Sequence, residues 1–145
     1  MRLIEIEFGS DRFAEEVDLR NRLLRIPLGL TFSEEDLQKE SQQLHFGLAD
    51  DDGKLVACAI VVPLDKHHVK LRQMAVETDR QGNGFGAQLI AAIECELRSR
   101  RYQSITLHAR CTAIEFYEKQ GYQKCGSEFT EVGISHWKMT KDISS

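Results

Sequence analysis

The amino-acid sequence predicts one α+β domain over residues 1–145, with a mixed, mostly antiparallel central sheet flanked by helices. Three observations indicate this fold class. Apolar and polar residues alternate in several short segments, as expected of half-buried strands. The sequence Asp52-Gly53 between two such segments is typical of an antiparallel hairpin turn. Residues 86–101 instead repeat their apolar positions with helical spacing, and a helical crossover of this kind makes the strands on either side of it parallel neighbours.

The first quarter of the chain predicts a strand followed by two helices. Residues 2–8 alternate as a half-buried strand does. Ser10 supplies a capping side chain for a helix that runs to about Arg25, and Pro27 ends it. Ser33 begins a short second helix, whose acidic first turn suits the positive end of the helix dipole.

The remaining elements follow from the same two periodicities. We expect five strands after the second helix, at residues 44–49, 54–62, 69–77, 104–108 and 122–130, and a last strand at 134–140. Two helices interrupt them, at residues 86–101 and 112–120, and Gly121 ends the second helix.

Composition excludes several classes of protein. The chain has 23 acidic and 19 basic residues, a net charge of -4 and no long run of either sign, which argues against nucleic acid or an anionic membrane as the main partner. No apolar stretch approaches the roughly 18 to 20 residues that span a bilayer. Glu5 and Glu7 break the apolar positions of the N-terminal segment, so it does not resemble a secretory signal, and we expect a cytoplasmic protein.

The cysteines indicate a reducing compartment. They lie far apart and form no C-x-x-C pair, so neither a disulfide framework nor a zinc site is expected. We expect buried, hydrophobic thiols at all four positions, Cys58, Cys95, Cys111 and Cys125. No H-E-x-x-H or similar spacing is present either, which predicts that the protein needs no metal.

A glycine-rich loop between a predicted strand and an amphipathic helix is the strongest functional signal. Alternating glycines at Gly82, Gly84 and Gly86 let the backbone approach a ligand, and the helix behind them adds its positive N-terminal end. Together these features predict a phosphate or pyrophosphate site.

Two other kinds of phosphate-binding loop fit less well. Gly82, Gly84 and Ala87 also satisfy the dinucleotide pattern G-x-G-x-x-G/A, but the next strand ends at Leu107-His108-Ala109 without the acidic residue that would hold a ribose. A P-loop would need a lysine directly after the last glycine, and none is present. Binding of a nicotinamide dinucleotide is therefore disfavoured but stays an alternative.

The motifs resemble those of the GNAT N-acetyltransferases. The run Met74-Ala75-Val76 followed by Gln81-Gly82-Asn83-Gly84-Phe85-Gly86 is similar to the family signature Q/R-x-x-G-x-G/A after a strand. The run from Ala113 to Tyr122 is close to the family pattern A-x-x-F-Y-E-K-x-G-F/Y. The stretch from Glu131 to His136 resembles the small bacterial acetyltransferases related to ElaA and YjcF. The resemblance covers residues 44–140 and implies a single GNAT-like domain.

The resemblance also implies a co-substrate and the residues that bind it. Acetyl-coenzyme A would donate its acetyl group to a primary amine of a small molecule or peptide. The backbone of the Met74–Val76 strand would pair with the pantetheine arm like an added strand. The residues implied at the cofactor are Met74, Ala75, Val76, Gln81, Gly82, Asn83, Gly84, Phe85, Gly86 and Ala87. Gln81 replaces the commoner arginine of the signature, and neighbouring Arg80 could supply the missing charge.

Two residues are candidates for the chemistry. Tyr117 is our candidate for the acid, because a phenol stays protonated at neutral pH and can donate to a departing thiolate. A packed aromatic side chain beside Phe116 is the alternative. His136 is the first candidate for the general base and His68 the second, whereas His45, His67 and His108 are expected to be surface or strand residues.

The acceptor and the partners stay open at this point. Arg20, Arg22 and Arg25 lie in the predicted first helix and would either hold an acidic substrate or form a solvated face. The function predicted is N-acetyl transfer, with an inactive coenzyme A-binding regulatory module as the alternative. The sequence also leaves a homodimer open.

Overall fold

The computed structural model describes residues 1–144, which form seven strands and four α-helices. The strands are β1 Arg2–Ile6, β2 Leu44–Ala49, β3 Leu55–Pro63, β4 His68–Val76, β5 Ser104–Arg110, β6 Gln123–Glu131 and β7 Ile134–Asp142. The α-helices are α1 Asp11–Arg20, α2 Glu34–Gln38, α3 Phe85–Ser99 and α4 Ile114–Lys119. Every predicted strand and helix is present, with bounds shifted by a few residues except in the first helix.

One mixed sheet carries the fold. Its strand order is β1-β2-β3-β4-β5-β7-β6, and every neighbouring pair is antiparallel except β4 and β5. The α3 crossover makes β4 and β5 parallel, as its position in the sequence predicts. The predicted α+β fold with a mostly antiparallel sheet is therefore confirmed.

Helix α3 covers one face of the sheet. Its apolar stripe is at most 2% exposed and consists of Leu89, Ile90, Ile93 and Leu97. These side chains share a core with inward-facing residues of β4 and β5, including Val69, Leu71, Ile105, Leu107 and Ala109. Burying a side chain of this size contributes about 1.5 to 3 kcal/mol, so this layer holds the two parallel strands in place.

Helix α1 covers the opposite face. The Ser10 side chain accepts a hydrogen bond from the Phe13 amide at 3.1 Å, which is the predicted N-terminal cap. Phe13 and Leu19 then pack with Cys58 of β3 and Ala75 of β4. The sheet therefore has an α3 face and an α1 face, and these two names are used below.

The first helix ends earlier than predicted. The α-helix stops at Arg20, and the chain continues through a π-helical turn, Asn21–Arg25, and a 3₁₀ turn, Ile26–Leu28. Pro27 lacks an amide hydrogen and crowds the preceding turn, so the regular ladder cannot continue through it. The wider turn is closed by the Ile26 amide, which bonds to the Asn21 carbonyl.

Arg20 belongs to a buried ionic cluster with Glu16, Glu40 and His45. Its guanidinium contacts Glu16 Oε2 at 2.8 Å and both carboxylate oxygens of Glu40. His45 Nδ1 lies 2.9 Å from Glu16 Oε2, and its Nε2 lies 3.1 Å from the Glu40 carbonyl. All four residues are at most 2% exposed. The alternatives of a substrate ligand and a solvated face are therefore both wrong for Arg20.

Arg22 is also committed to carboxylates. It pairs with Asp18 at 2.8 Å and with Glu77 at 2.8 Å, linking the π-helical turn to the end of β4. These bonds raise the pKa of Arg22 further above its ordinary value. Only Arg25 of the three arginines lines a cleft, which is described below.

The cysteines only partly match the expectation of buried thiols. Cys58 is fully buried in β3, and burial raises the pKa of its thiol. Cys95 and Cys111 are exposed and Cys125 is partly exposed, so the prediction is wrong for these three. Among residues 1–144, no helix is long and apolar enough to cross a membrane.

The buried ionic cluster predicts a pH-dependent stability. Burial alone lowers the pKa of His45, but the hydrogen bond and charge of Glu16 outweigh it and the net pKa is raised. Because the pKa of His45 is higher in the folded than in the unfolded protein, protonated His45 stabilises the fold. This contribution to the free energy of unfolding is fully present below the unfolded pKa of about 6.5 and is lost as the pH rises through the pKa of the folded protein.

We expect His45→Gln to lower the free energy of unfolding by about 1 to 3 kcal/mol at pH 6, because the buried carboxylate of Glu16 loses one of its two cationic partners and keeps only Arg20. The deficit should shrink as the pH rises. Urea unfolding between pH 6 and 9 checks this, with exposed His67→Gln as the control. A deficit that stays constant with pH would show that His45 acts only through packing.

Candidate active site

A cleft opens where β4 and β5 separate. Residues His68–Leu71 of β4 pair with Ser104–Leu107 of β5, and the pairing stops there although both strands continue further. The pairing of β4 with β3 shifts by one residue between Cys58 and Ile60, which places one extra residue in β4. Gln73 lies at this bulge with a φ of 56°, a rare conformation for a residue other than glycine. The cleft has a volume of about 370 Å³.

The bulge sets the direction of the β4 backbone beside the cleft. The Glu77 amide bonds to the Val56 carbonyl of β3, so the backbone groups of Val76 and Met74, which alternate with it, point towards the cleft. The Val76 carbonyl accepts a hydrogen bond from Gln81 Nε2 at 3.0 Å. Gln81 therefore fastens the glycine loop to the strand instead of pointing its amide at an anion.

The glycine-rich loop lies beside the cleft, because Gly86 packs against Met74 and Phe116, which line it. Gly82 and Gly84 have φ values of 81° and 79°, and an added Cβ at either would meet open space. Gly84 is the N-cap residue of α3, and no side chain caps the amides of the first helical turn. An anion placed there would meet free N–H groups and the positive end of a helix of 15 residues.

Other loop residues support its shape. An added Cβ at Gly86 would lie 3.3 Å from Phe116 Cζ, so this glycine allows close packing of α3 against α4. Asn83 donates to the carbonyls of Arg80 and Gln81 at 3.1 and 3.3 Å. Arg80, expected to replace a missing loop charge, is 2.8 Å from Asp50 Oδ2, so its charge is already neutralised.

Tyr117 lines the cleft from α4. Its ring packs edge-on against Phe116 and Tyr122, at centroid distances of 5.1 and 5.9 Å. Burial raises the pKa of Tyr117 to about 12. Within residues 1–144 its hydroxyl has no hydrogen-bond partner, whereas the Tyr122 hydroxyl donates to Glu94 at 2.9 Å. Tyr117 therefore holds a proton and has a free hydroxyl in the cleft.

His136 lies on the opposite wall, in β7. It is 7% exposed, and its Nδ1–H donates to the Ile134 carbonyl at 2.7 Å. A carbonyl can only accept, so the neutral ring carries its lone pair on Nε2. Nε2 lies 3.9 Å from Glu131 Oε2, and the ring stacks on Phe129 with a centroid distance of 5.8 Å.

The structure adds two residues that the sequence interpretation missed. His108 and Glu131 line the same wall, with His108 Nδ1 at 3.3 Å from Glu131 Oε2. Burial, followed by the charge of Lys70, lowers the pKa of His108, so this ring is neutral at pH 7. His68 instead lies at the other end of β4, exposed and bonded to Asp65 at 2.8 Å, and does not line the cleft.

Comparison with known proteins identifies the family. Residues 30–143 match the model of the acetyltransferase (GNAT) domain, which is most of the chain. The chain belongs to the GNAT acetyltransferase family.

Two relatives of the chain are described as uncharacterized. An uncharacterized acetyltransferase of Streptococcus pyogenes is 28% identical over 75% of this chain and 80% of its own length. The uncharacterized protein YyaT of Bacillus subtilis is 35% identical over 54% of this chain, and the match spans 53% of that protein. Thus the chain spans only about half of that relative's length.

Solved structures confirm the GNAT fold. Escherichia coli ElaA superposes with a TM-score of 0.80 at 18% identity, covering 97% of this chain and 99% of that chain. An aminoglycoside 6'-N-acetyltransferase complexed with coenzyme A superposes with a TM-score of 0.79 at 18% identity, covering 100% and 98%. At these identities the likeness shows the fold alone.

A side chain placed in the open space at Gly84 tests whether the glycine loop binds the pyrophosphate of coenzyme A. We expect Gly84→Val to weaken coenzyme A binding about 10- to 100-fold, because the side chain fills the space beside the free amides and removes hydrogen bonds to a charged group. Calorimetric titration with coenzyme A measures the change. Gly9→Val is the matched control, since Gly9 has a φ of 80° and open space around it but lies in the β1–α1 turn. Equal affinity in both folded variants would disprove pyrophosphate binding by the loop.

Proposed function

We propose that this protein is an N-acetyltransferase that transfers the acetyl group of acetyl-coenzyme A to a primary amine. The observation that carries the proposal is the cleft between β4 and β5, which Tyr117 and His136 line and which has the glycine loop beside it. Family membership supports acetyl transfer, and the coenzyme A complex of a GNAT enzyme of the same fold supports the choice of donor.

The free backbone of the cleft wall and loop suits coenzyme A. The outward backbone groups of Met74 and the outward amide of Val76 can pair with the pantetheine arm, as a peptide pairs with a sheet edge, while the Val76 carbonyl is bonded to Gln81. The pyrophosphate would meet the free amides at the start of α3, beside Gly82 and Gly84. Phe85, Gly86 and Ala87 begin the helix behind that site.

The acetyl transfer would proceed through a tetrahedral intermediate. The neutral amine nitrogen attacks the thioester carbonyl and forms the new C–N bond, and His136 Nε2 accepts the proton that the amine loses. The intermediate then expels the thiolate, breaking the C–S bond. The Tyr117 hydroxyl donates its proton to that sulfur and is reprotonated from solvent, while His136 releases the amine proton to solvent, so that the products are an N-acetylated amine and coenzyme A.

The raised pKa of Tyr117 is compatible with this role. In water a thiol with a pKa of about 8.5 would be a much stronger acid than the tyrosine. The burial that raises the pKa of Tyr117 also disfavours a thiolate in the same cleft, because both groups are anions when deprotonated. The phenol therefore stays protonated at neutral pH, as a proton donor must.

A thiol-release assay with acetyl-coenzyme A and a panel of amines tests the proposed function. Release that depends on an amine, with the N-acetylated product identified by mass spectrometry, is the expected result. Binding of acetyl-coenzyme A without release across the panel would favour the coenzyme A-binding regulatory module instead. Binding of NADH in place of coenzyme A would favour the dinucleotide alternative. The prediction of a cytoplasmic location and the open question of a homodimer are outside this assay.

We expect Tyr117→Phe to lower kcat about 10²-fold with little change in acetyl-coenzyme A affinity, because only the proton donor is removed. Single-turnover kinetics measure the chemical step directly and exclude a masking effect of product release. Tyr102→Phe is the matched control, since Tyr102 packs against the core but does not line the cleft. Wild-type turnover in Tyr117→Phe would return Tyr117 to a packing role.

We expect His136→Gln to lower turnover at saturating acetyl-coenzyme A by about 10²- to 10⁴-fold, the usual range for a general base. Glutamine keeps most of the side-chain volume, so the variant should fold. The neighbouring His108→Gln variant is measured beside it, because His108 is the other imidazole next to Glu131. A larger loss in His108→Gln than in His136→Gln would reassign the base to His108.

A further inference from the structure

The α1 face of the cleft carries an unusual set of cations. Strand alternation turns Val69 and Leu71 of β4 into the α3 core, so Lys70 and Arg72 face the other side. The same alternation on β5 places Arg110 on the α1 face, opposite His136 in the register of β5 with β7. Arg25 reaches the cleft from the π-helical turn. The amine must arrive from this face, because the glycine loop and the proposed pantetheine path belong to the α3 face.

These cations lack carboxylate partners. No acidic group within residues 1–144 lies within ion-pair distance of Arg25, Lys70, Arg72 or Arg110. The nearest polar contact of Arg72 is the neutral side chain of Gln43, at 3.2 Å. By contrast, Arg20, Arg22, Arg80 and Arg100 all pair with acids. Glu131 is the one acid among the residues that line the cleft, and it contacts His108 and approaches His136.

Two of these cations are also held in an unfavourable environment. Burial lowers the pKa of Lys70, and the negative charge of Glu131 offsets this only in part. Burial likewise lowers the pKa of Arg72, and the charge of Glu40 offsets that only in part. A half-buried charge without a partner is destabilising, and a bound anion would remove that cost. The lowered values thus mark the β4 wall as a place where an anionic ligand would bind favourably.

We propose that the acceptor is an amine that also carries an anionic group, a carboxylate or a phosphate, and that Lys70 and Arg72 bind this group. The inference rests on the proposed N-acetyltransferase function and specifies its acceptor class. The amine end would lie near His136 and Glu131, and the anionic end at the β4 wall. Polycationic amines such as aminoglycosides would meet four like charges and one acid, so we expect them to be poor acceptors.

Matched acceptor pairs test the charge preference. Each pair keeps the amine and changes only the anion: dipeptides with a free C-terminal carboxylate or a C-terminal amide, and aminoalkyl phosphates or the corresponding amino alcohols. The expected result is a kcat/KM at least about tenfold higher for the anionic member, the range of one charge-assisted hydrogen bond. The carboxylate and phosphate arms show which anion is preferred. Equal or better use of the neutral members, or of an aminoglycoside, would overturn the proposal.

The Lys70→Met variant tests whether Lys70 binds the anionic group of the acceptor or only affects the stability of the fold. The variant removes a half-buried charge that has no ion-pair partner, so it should unfold at the same or a higher urea concentration than the wild type. We expect KM for the anionic acceptor to rise about 10- to 100-fold and KM for its neutral partner to stay within about twofold. Lys66→Met, at an exposed lysine outside the cleft, is the control. A weakened affinity for acetyl-coenzyme A in Lys70→Met would assign this cation to the cofactor and overturn the proposal.

A binding experiment distinguishes failure of this proposal from failure of the proposed function. N-acetylated dipeptides, with a free carboxylate or an amide, are titrated into the protein saturated with coenzyme A. Binding of the carboxylate form that is lost in Lys70→Met, without turnover of any amine, would retain the anion site and reject the acetyltransferase. Turnover of amines without any preference for an anion would retain the acetyltransferase and reject the anion site.

Discussion

The β-bulge at Gln73 is the constraint on which the candidate site depends. One extra residue in β4 bends the strand away from β5 after Leu71, and the positive φ of Gln73 is a local strain of about 1 to 3 kcal/mol. Without it, β4 and β5 could continue their hydrogen bonds and no cleft would open. The strain is tolerated because both sides of the strand are anchored. Helix α3 packs on one side and α1 on the other, and β3 is almost wholly buried.

The two faces of the sheet present different groups to a ligand. On the α3 face, the loop at Gly82 and Gly84 presents backbone amides and a helix end, which suit an anion without using a charged side chain. On the α1 face, Lys70 and Arg72 supply full charges without acidic partners. In the proposed reaction, the thioester and the amine would enter the cleft from opposite faces. Tyr117 and His136 line this cleft.

Local patterns predicted the fold and the glycine loop, whereas the site needed the register of the strands. The apolar period of α3 and the alternating glycines are properties of contiguous residues, which is why they were predictable. Gln73 is an ordinary strand residue in the sequence, and nothing near it indicates a bulge. Arg20 is buried against Glu40, which lies 20 residues further along the chain. His108 meets Glu131 only because β7 pairs with both β5 and β6. Such contacts have no local sequence signal.

Several groups that the fold leaves without a partner line the cleft. Two buried side-chain polar atoms lack a hydrogen-bond partner within residues 1–144: Gln73 Oε1 on the cleft wall and Arg20 Nε in the buried ionic cluster. Val132, at the cleft rim, has a φ of 52° because it forms the two-residue turn between β6 and β7 together with Gly133, whose φ is 71°. The free hydroxyl of Tyr117 and the unpaired charge of Lys70 belong to the same surface. Outside the cleft, the fully buried guanidinium of Arg20 pairs with Glu16 and Glu40. Lys70 has no such partner within residues 1–144, and the anionic group of the proposed acceptor would supply one.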